Sequence, residues 1–341
     1  MGRIEDIDAK LKQRLQAIEQ KIGGRMQATD QRVAGRIQAI EQKIGGRIRE
    51  IGGNVGGPAA EGGGAGEGFG TPRGMDAGVD AGRSPGGVVR MGLCVGLNVV
   101  DDAAYAGSAP PLAGCVADAE RFSCVLTRMG FQVLKLLDVA ATCAGVYLAI
   151  RRAVEILRSG DLFVMSISGH GGRQADFGSA PRECWCLHDG RAWDSDIVWA
   201  FSQFRPGVRI LAINDQCHSG GMFQARGGFG ETPFGRLCAE DGKPAGWDAG
   251  RALRGTGYPQ LIQFAGCRAE QSSMDGLGGG TWTQALVNVL DEANARGRLP
   301  TYREWFDAAF ASPTLRRGRQ DPQWVESSTV TDAFRESRAL S

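Results

Sequence analysis

The chain is 341 residues long, and 39 Lys plus Arg against 38 Asp plus Glu leave a formal net charge of +1. That balance excludes a global electrostatic attraction to nucleic acid or to an anionic membrane. No stretch approaches the roughly 20 apolar residues of a membrane span, and the first residues, MGRIEDIDAKLKQ, are charged from position three, so the expected location is cytoplasmic and a membrane-spanning segment is not expected. The nine cysteines are irregularly spaced, and the one close pair, Cys184 and Cys186, lacks zinc-finger spacing. Reduced thiols fit that pattern better than a disulfide framework.

Residues 1–51 carry an eleven-residue repeat: RLQAIEQKIGGR at 14–25 and RIQAIEQKIGGR at 36–47, with the diverged copy RMQATDQRVAGR between them. Leu15, Ile18, Ile22, Met26, Val33, Ile37, Ile40 and Ile44 fall on one stripe of a helix with about 3.67 residues per turn. Each unit ends in Gly-Gly or Ala-Gly, at a cost of up to about 1 kcal/mol per glycine relative to Ala, so the helix needs partners to form. A coiled-coil-like arm that self-associates is the favoured reading. A membrane-surface helix, with Arg25, Arg36 and Lys43 on its polar face but no Trp or Phe anchors, and a solvated tail are the alternatives. Residues 52–87 are dominated by glycine and read as a flexible tether.

From residue 88 to 341 the pattern predicts one α/β domain. RMGLCVGL (90–97), FQVLKLL (131–137), DLFVMSIS (161–168), VRILAIN (208–214) and QLIQFAG (260–266) read as largely buried strands. Helices are expected at 115–129, 143–158 and 195–204, with Thr281/Gln284 and Thr301/Glu304 as capping boxes of two more. The alternation implies a mostly parallel sheet flanked by helices. Residues 222–255 are glycine-rich and poor in apolar pattern, which predicts an exposed loop.

In such a sheet, ligands bind outside the carboxyl ends of the strands. Two strand ends carry reactive residues: SIS runs into Gly169-His170-Gly171-Gly172, and AIN runs into Asp215-Gln216-Cys217-His218. A thiol titrating near 8.5 needs a base or a cation beside it to attack a carbonyl at neutral pH, and His170 can be both. Glycines after the histidine let a substrate backbone approach, and the Gly171 and Cys217 amides are candidate oxyanion donors. His218, adjacent to the thiol on the chain, points elsewhere and is assigned no role, and His188 is read as structural.

Four blocks carry a family resemblance: LAGCVADAERF (112–122), SISGHGG (166–172), VRILAINDQCHSGG (208–221), and FAGCRAEQSSMD with GGGTWTQAL (264–286). In that order they resemble the metacaspases and orthocaspases, caspase-like cysteine peptidases. The resemblance implies a caspase-like three-layer sandwich, makes His170 and Cys217 the catalytic dyad, and puts Cys115, Asp118, Ser168 and Asp215 around the S1 pocket. It implies cleavage after Arg or Lys. Two carboxylates facing one pocket repel each other and are relieved by an incoming cation, which agrees with that preference.

No organic cofactor is needed for this chemistry. Calcium, which many metacaspases require, has candidate ligands here in Asp194 and Asp196, with Asp176, Glu183 and Asp189 nearby in sequence. The stretch 173–182 is short and acid-poor, and Gln224 stands seven residues past Cys217, both of which weaken a hard-cation cage; Asp194 could instead cap the next helix. Gln216 stands where the family more often has a small serine, which predicts altered packing. Arg226, Arg236, Arg251 and Arg254 are candidate self-cleavage sites. The competing readings are a catalytically weak scaffold or switch assembled by the repeat arm, and a legumain-like or separase-like specificity.

Overall fold

The computed structural model describes residues 87–174, 182–217, 219–222, 232–244, 247–268, 279–318 and 320–341. The repeat arm and all but the last residue of the glycine-rich stretch lie outside them, as do Asp176, His218, Gln224 and Arg226.

In chain order the strands are β1 (Arg90–Gly96), β2 (Gln132–Leu137), β3 (Leu162–Ser168), β4 (Gly171–Gln174), β5 (Arg182–Leu187), β6 (Gly190–Trp193), β7 (Arg209–Asp215), β8 (Gln260–Ala265) and β9 (Gln323–Glu326). Six form the central sheet in the order β2-β1-β3-β7-β8-β9, all neighbours parallel except the antiparallel β9 at one edge. The five parallel strands fall within about a residue of the spans expected from sequence. A second, antiparallel sheet of β4, β5 and β6 was not foreseen, nor was β9.

The helices are α1 (Asp102–Tyr105), α2 (Cys115–Arg128), α3 (Cys143–Ile156), α4 (Asp194–Ser202), α5 (Pro233–Glu240), α6 (Ala249–Leu253), α7 (Thr281–Ala295), α8 (Tyr302–Phe310), α9 (Pro313–Gly318) and α10 (Asp332–Arg335). Alternation along each strand divides the core in two. Leu93, Val95, Phe163, Met165 and Ile167 face one side with Val146 and Ile150 of α3 and Ile197 and Phe201 of α4. Cys94, Val164, Leu211 and Ile213 face the other with Phe122 of α2, Trp282 of α7 and Trp305 of α8. Every residue of β3 is buried, as a central parallel strand covered on both faces must be. Each fully buried Leu, Ile or Phe contributes about 1.5–3 kcal/mol.

Two sequence expectations are corrected. Thr301 and Glu304 form the capping box of α8, but the cap of α7 is Gly280 without a side-chain bond. There Thr281 Oγ1 donates to Gln320 Oε1 and Gln284 Nε2 donates to the Gly279 carbonyl, so the pair is spent elsewhere. The stretch 222–255 is not simply an exposed loop, because α5 and α6 lie within it. Thr232 caps α5, Asp248 caps α6, and Phe234, Cys238, Ala249 and Leu253 pack into the core. Four apolar residues spread over two short helices give too little periodicity to register beside so many glycines.

Candidate active site

The site is built at the carboxyl ends of β3 and β7. These strands pair in register with Ser168 opposite Asp215, and the chain runs two further residues from each, to His170 and to Cys217. Gly171 abuts the Cys217 segment so closely that a Cβ there would be driven into the Cys217 carbonyl oxygen, so only glycine is admitted. His170 and Cys217 are both partly exposed, whereas seven of the nine cysteines are buried.

His170 is held at several atoms. Its Nε2 lies 2.7 Å from the Pro110 carbonyl oxygen. A carbonyl only accepts, so this bond fixes the proton on Nε2 and leaves Nδ1 with the lone pair in the neutral ring. The His170 carbonyl accepts the Cys186 N–H of β5 at 3.0 Å. Pro110 belongs to the β1–α2 loop, itself anchored at many points. Asp138 Oδ1 accepts the Asn98 and Val99 N–H groups, Tyr105 Oη donates to the carbonyls of Leu187 and Gly190, and the Asp101 N–H donates to His188. His188 thus serves through its backbone, as a structural residue.

The four residues expected to line S1 are all buried: Cys115, Asp118, Ser168 and Asp215. Asp118, on the first turn of α2, is 1% exposed, so it is not a solvated helix-face acid. Its Oδ2 accepts the Ser168 hydroxyl at 2.8 Å and the Gly280 N–H at 2.8 Å, and its Oδ1 lies 3.6 Å from Arg121 Nη1. Asp215 Oδ2 accepts the Thr283 N–H at 2.9 Å. Gly279, at φ +100°, and Gly280 bring the start of α7 against both carboxylates, and a Cβ on either glycine would collide with them. Burial, and behind it the negative charge of Asp215, pushes the Asp118 carboxyl up to about 7. The two acids therefore share one small, desolvated space.

Asp194 and Asp196 do not fit a divalent cation. Asp196 is ion-paired with Lys243, so that carboxylate is already met by a cation of the chain itself. Asp194 accepts the Ser195 N–H at 2.7 Å on Oδ1 and the Glu183 N–H at 3.4 Å on Oδ2. It sits within the first turn of α4 rather than capping it from outside. Burial raises both carboxyls, that of Asp194 to about 6, while Arg182 pulls against the rise. Asp189 is committed to the start of α3, where its Oδ1 accepts the Cys143 N–H at 2.7 Å. Among the described residues no group of three or more His, Cys, Asp or Glu could hold a metal ion.

Pro110, Lys243 and the Gly279-Gly280 pair were not singled out from sequence. A main-chain carbonyl leaves no residue-type signal, whereas the GGG before TWTQAL does mark a close approach of backbone.

Residues 91–334 match the family described as Caspase domain, and the chain belongs to that family. Within it, the chain is metacaspase-like. It is 30% identical to Metacaspase-4 of Arabidopsis thaliana over 161 residues, covering 42% of this chain and 37% of that protein. With Metacaspase-3 of the same plant it shares 28% identity over 249 residues, covering 64% and 63% respectively. A crystal structure of a Geobacter sulfurreducens protein superimposes with a TM-score of 0.58 at 28% identity, over 74% of this chain and 98% of that one. The chain spans between about a third and two-thirds of the length of these curated relatives.

Proposed function

We propose that this chain is a cysteine endopeptidase that cleaves after Arg or Lys. The observation that supports the reading is the β3–β7 register, which ends with Ser168 opposite Asp215, two residues short of His170 and Cys217, and leaves Gly171 packed against the Cys217 backbone beside a buried acid pair. His170 Nδ1 takes the Cys217 proton, and the thiolate attacks the scissile carbonyl carbon. Charge moves onto the carbonyl oxygen, where the Gly171 and Cys217 N–H groups receive it. Because the His170 carbonyl faces β5, the alternation of an antiparallel ladder turns the Gly171 N–H away from β5 and leaves it free for this task. His170 returns its proton to the leaving amine as the C–N bond breaks, and water, deprotonated by His170, then hydrolyses the thioester.

Asp118 and Asp215 supply the basic P1 preference, because an Arg or Lys side chain neutralises two carboxylates that otherwise repel each other. With Lys243 on Asp196, no cation is required at Asp194 and Asp196. Arg254 caps the C-terminal end of α6, so the residues before it that a peptidase must also take are helical. Arg236 and Arg251 lie within helices that must open before a peptidase can take the chain in extended form. The repeat arm is proposed to bring copies together.

The test is hydrolysis of fluorogenic peptides bearing Arg, Lys or Asp at P1, with calcium and with chelator, by the wild type and Cys217→Ala. Arg and Lys peptides are expected to turn over equally in both media and not at all with Cys217→Ala. Preference for Asp, or activity surviving in Cys217→Ala, would overturn the proposal.

A further inference from the structure

Gln216 stands immediately before the nucleophile, and its side chain is buried at 1% exposure. It does more than fill space. Its Nε2 donates to the His170 carbonyl oxygen at 2.9 Å, so the residue next to Cys217 grips the main chain of the base. Its own carbonyl accepts the Cys267 thiol at 3.3 Å, which fixes the residue from behind. Gly169 lies against the amide, where even a Cβ would come within 3.7 Å of Nε2.

The grip matters because of what surrounds His170. Gly169 precedes it and Gly171 and Gly172 follow it, so its backbone is among the least constrained in the sheet. It also sits outside both strands, between the end of β3 and the start of β4. Register ends at Ser168 opposite Asp215, and beyond that pair the ladder does not dictate where the imidazole goes. The Pro110 bond fixes the ring tip; the main chain is fixed by Cys186 from one segment and Gln216 from the other. Of these three ties, only Gln216 connects the base to the segment that carries the thiol.

We propose that Gln216 is a positioning residue for the dyad, its side-chain amide setting the spacing between the His170 imidazole and the Cys217 thiol. The proposal rests on the dyad reading above. It differs from a packing role in one respect that can be measured. Without the amide donor the His170 carbonyl keeps its bond from Cys186, so no buried acceptor is orphaned. Gln216 Oε1, by contrast, has no hydrogen-bond partner among the described residues, and a methionine of similar shape would remove that buried polar atom. Gln216→Met therefore should not destabilise the fold, yet should impair the chemistry.

The experiment compares full-length wild type, Gln216→Met, Gln216→Ser and His170→Ala in three readouts. These are the pH profile of Cys217 alkylation by iodoacetamide, followed by mass on the Cys217 peptide because Cys124 is also exposed; kcat and KM on an Arg-P1 peptide; and the unfolding temperature. Wild type is expected to alkylate below pH 7 much faster than His170→Ala. Both Gln216 variants should lose about 10- to 100-fold in this low-pH alkylation and in kcat, the cost of misplacing a reacting group by about an ångström. KM should change less than about twofold, and the Gln216→Met melting temperature should be equal or higher. A wild-type alkylation profile and kcat in both Gln216 variants would overturn the proposal while leaving the dyad intact, and so would losses that merely track a lowered melting temperature. If wild type and His170→Ala alkylate alike, the dyad reading itself fails and takes this proposal with it.

Discussion

Replacing Asp118 by Asn tests the acid pair with a change of two atoms' chemistry and almost none of shape. Burial and the charge of Asp215 move the Asp118 carboxyl from 3.8 to about 7, roughly three units, or about 4 kcal/mol at 1.36 kcal/mol per unit as an upper bound. The sign follows from proton counting. Between about pH 4 and pH 7 the folded chain holds a proton that the unfolded chain has lost, so stability falls as pH rises through that window, and the full penalty is present above it. Asn has no proton to lose. Its Oδ1 can still accept from Ser168 and Gly280 in place of Asp118 Oδ2. Denaturant unfolding of wild type and Asp118→Asn at pH 4, 6 and 8 should therefore show near-equal stability at the lowest pH and a growing advantage of the variant, up to about 4 kcal/mol, at the highest. That ceiling corresponds to roughly 8–16 °C in melting temperature for a domain of this size. The same variant should lose about 2–5 kcal/mol of transition-state stabilisation toward Arg-P1 peptides, some 30-fold to several thousand-fold in kcat/KM. Parallel pH–stability curves for the two proteins, or undiminished Arg cleavage by the variant, would refute the reasoning.

Lys243→Met leaves Asp196 buried without its ammonium; removing one partner of a buried pair costs about 3–5 kcal/mol, and calorimetry should show the melting temperature fall by about 6–20 °C. Wild type should show no shift in melting temperature on adding calcium or chelator. Self-cleavage, followed as fragment masses over time, should be slow after Arg236, Arg251 and Arg254 alike, since each cut requires α5 or α6 to open.

The parallel strands were legible because they are buried on both faces and therefore read as unbroken apolar runs, of which LFVMSIS in β3 is the clearest. The second sheet was not, for the opposite reason. In β5 the residues Arg182 and Glu183 are buried despite being charged, and Arg182 stacks its guanidinium 4.2 Å from the Trp193 ring centre. Arg182 meets Trp193 of β6 and the charge of Asp194 in α4, partners that no local pattern reports. The same holds for α5, where burial of Phe234 and Cys238 depends on docking against α3, α4 and β6.

At the site the division falls between residue identity and residue attachment. His170 and Cys217 stood out as candidates because strand ends in a parallel sheet converge on one edge, whereas Asp118 and Asp215 were named only through the family resemblance. What holds these four did not stand out. The Pro110 contact uses a main-chain oxygen that any residue would offer, the start of α7 reaches Asp118 and Asp215 through backbone N–H groups, and the Gln216 bond was visible in sequence only as an unexpected side chain beside the thiol. In each case the functional group is a side chain whereas its tether is mostly backbone. A sequence therefore announces which groups meet sooner than it announces what fixes their distances, and distance is what separates a reactive thiol from a buried one.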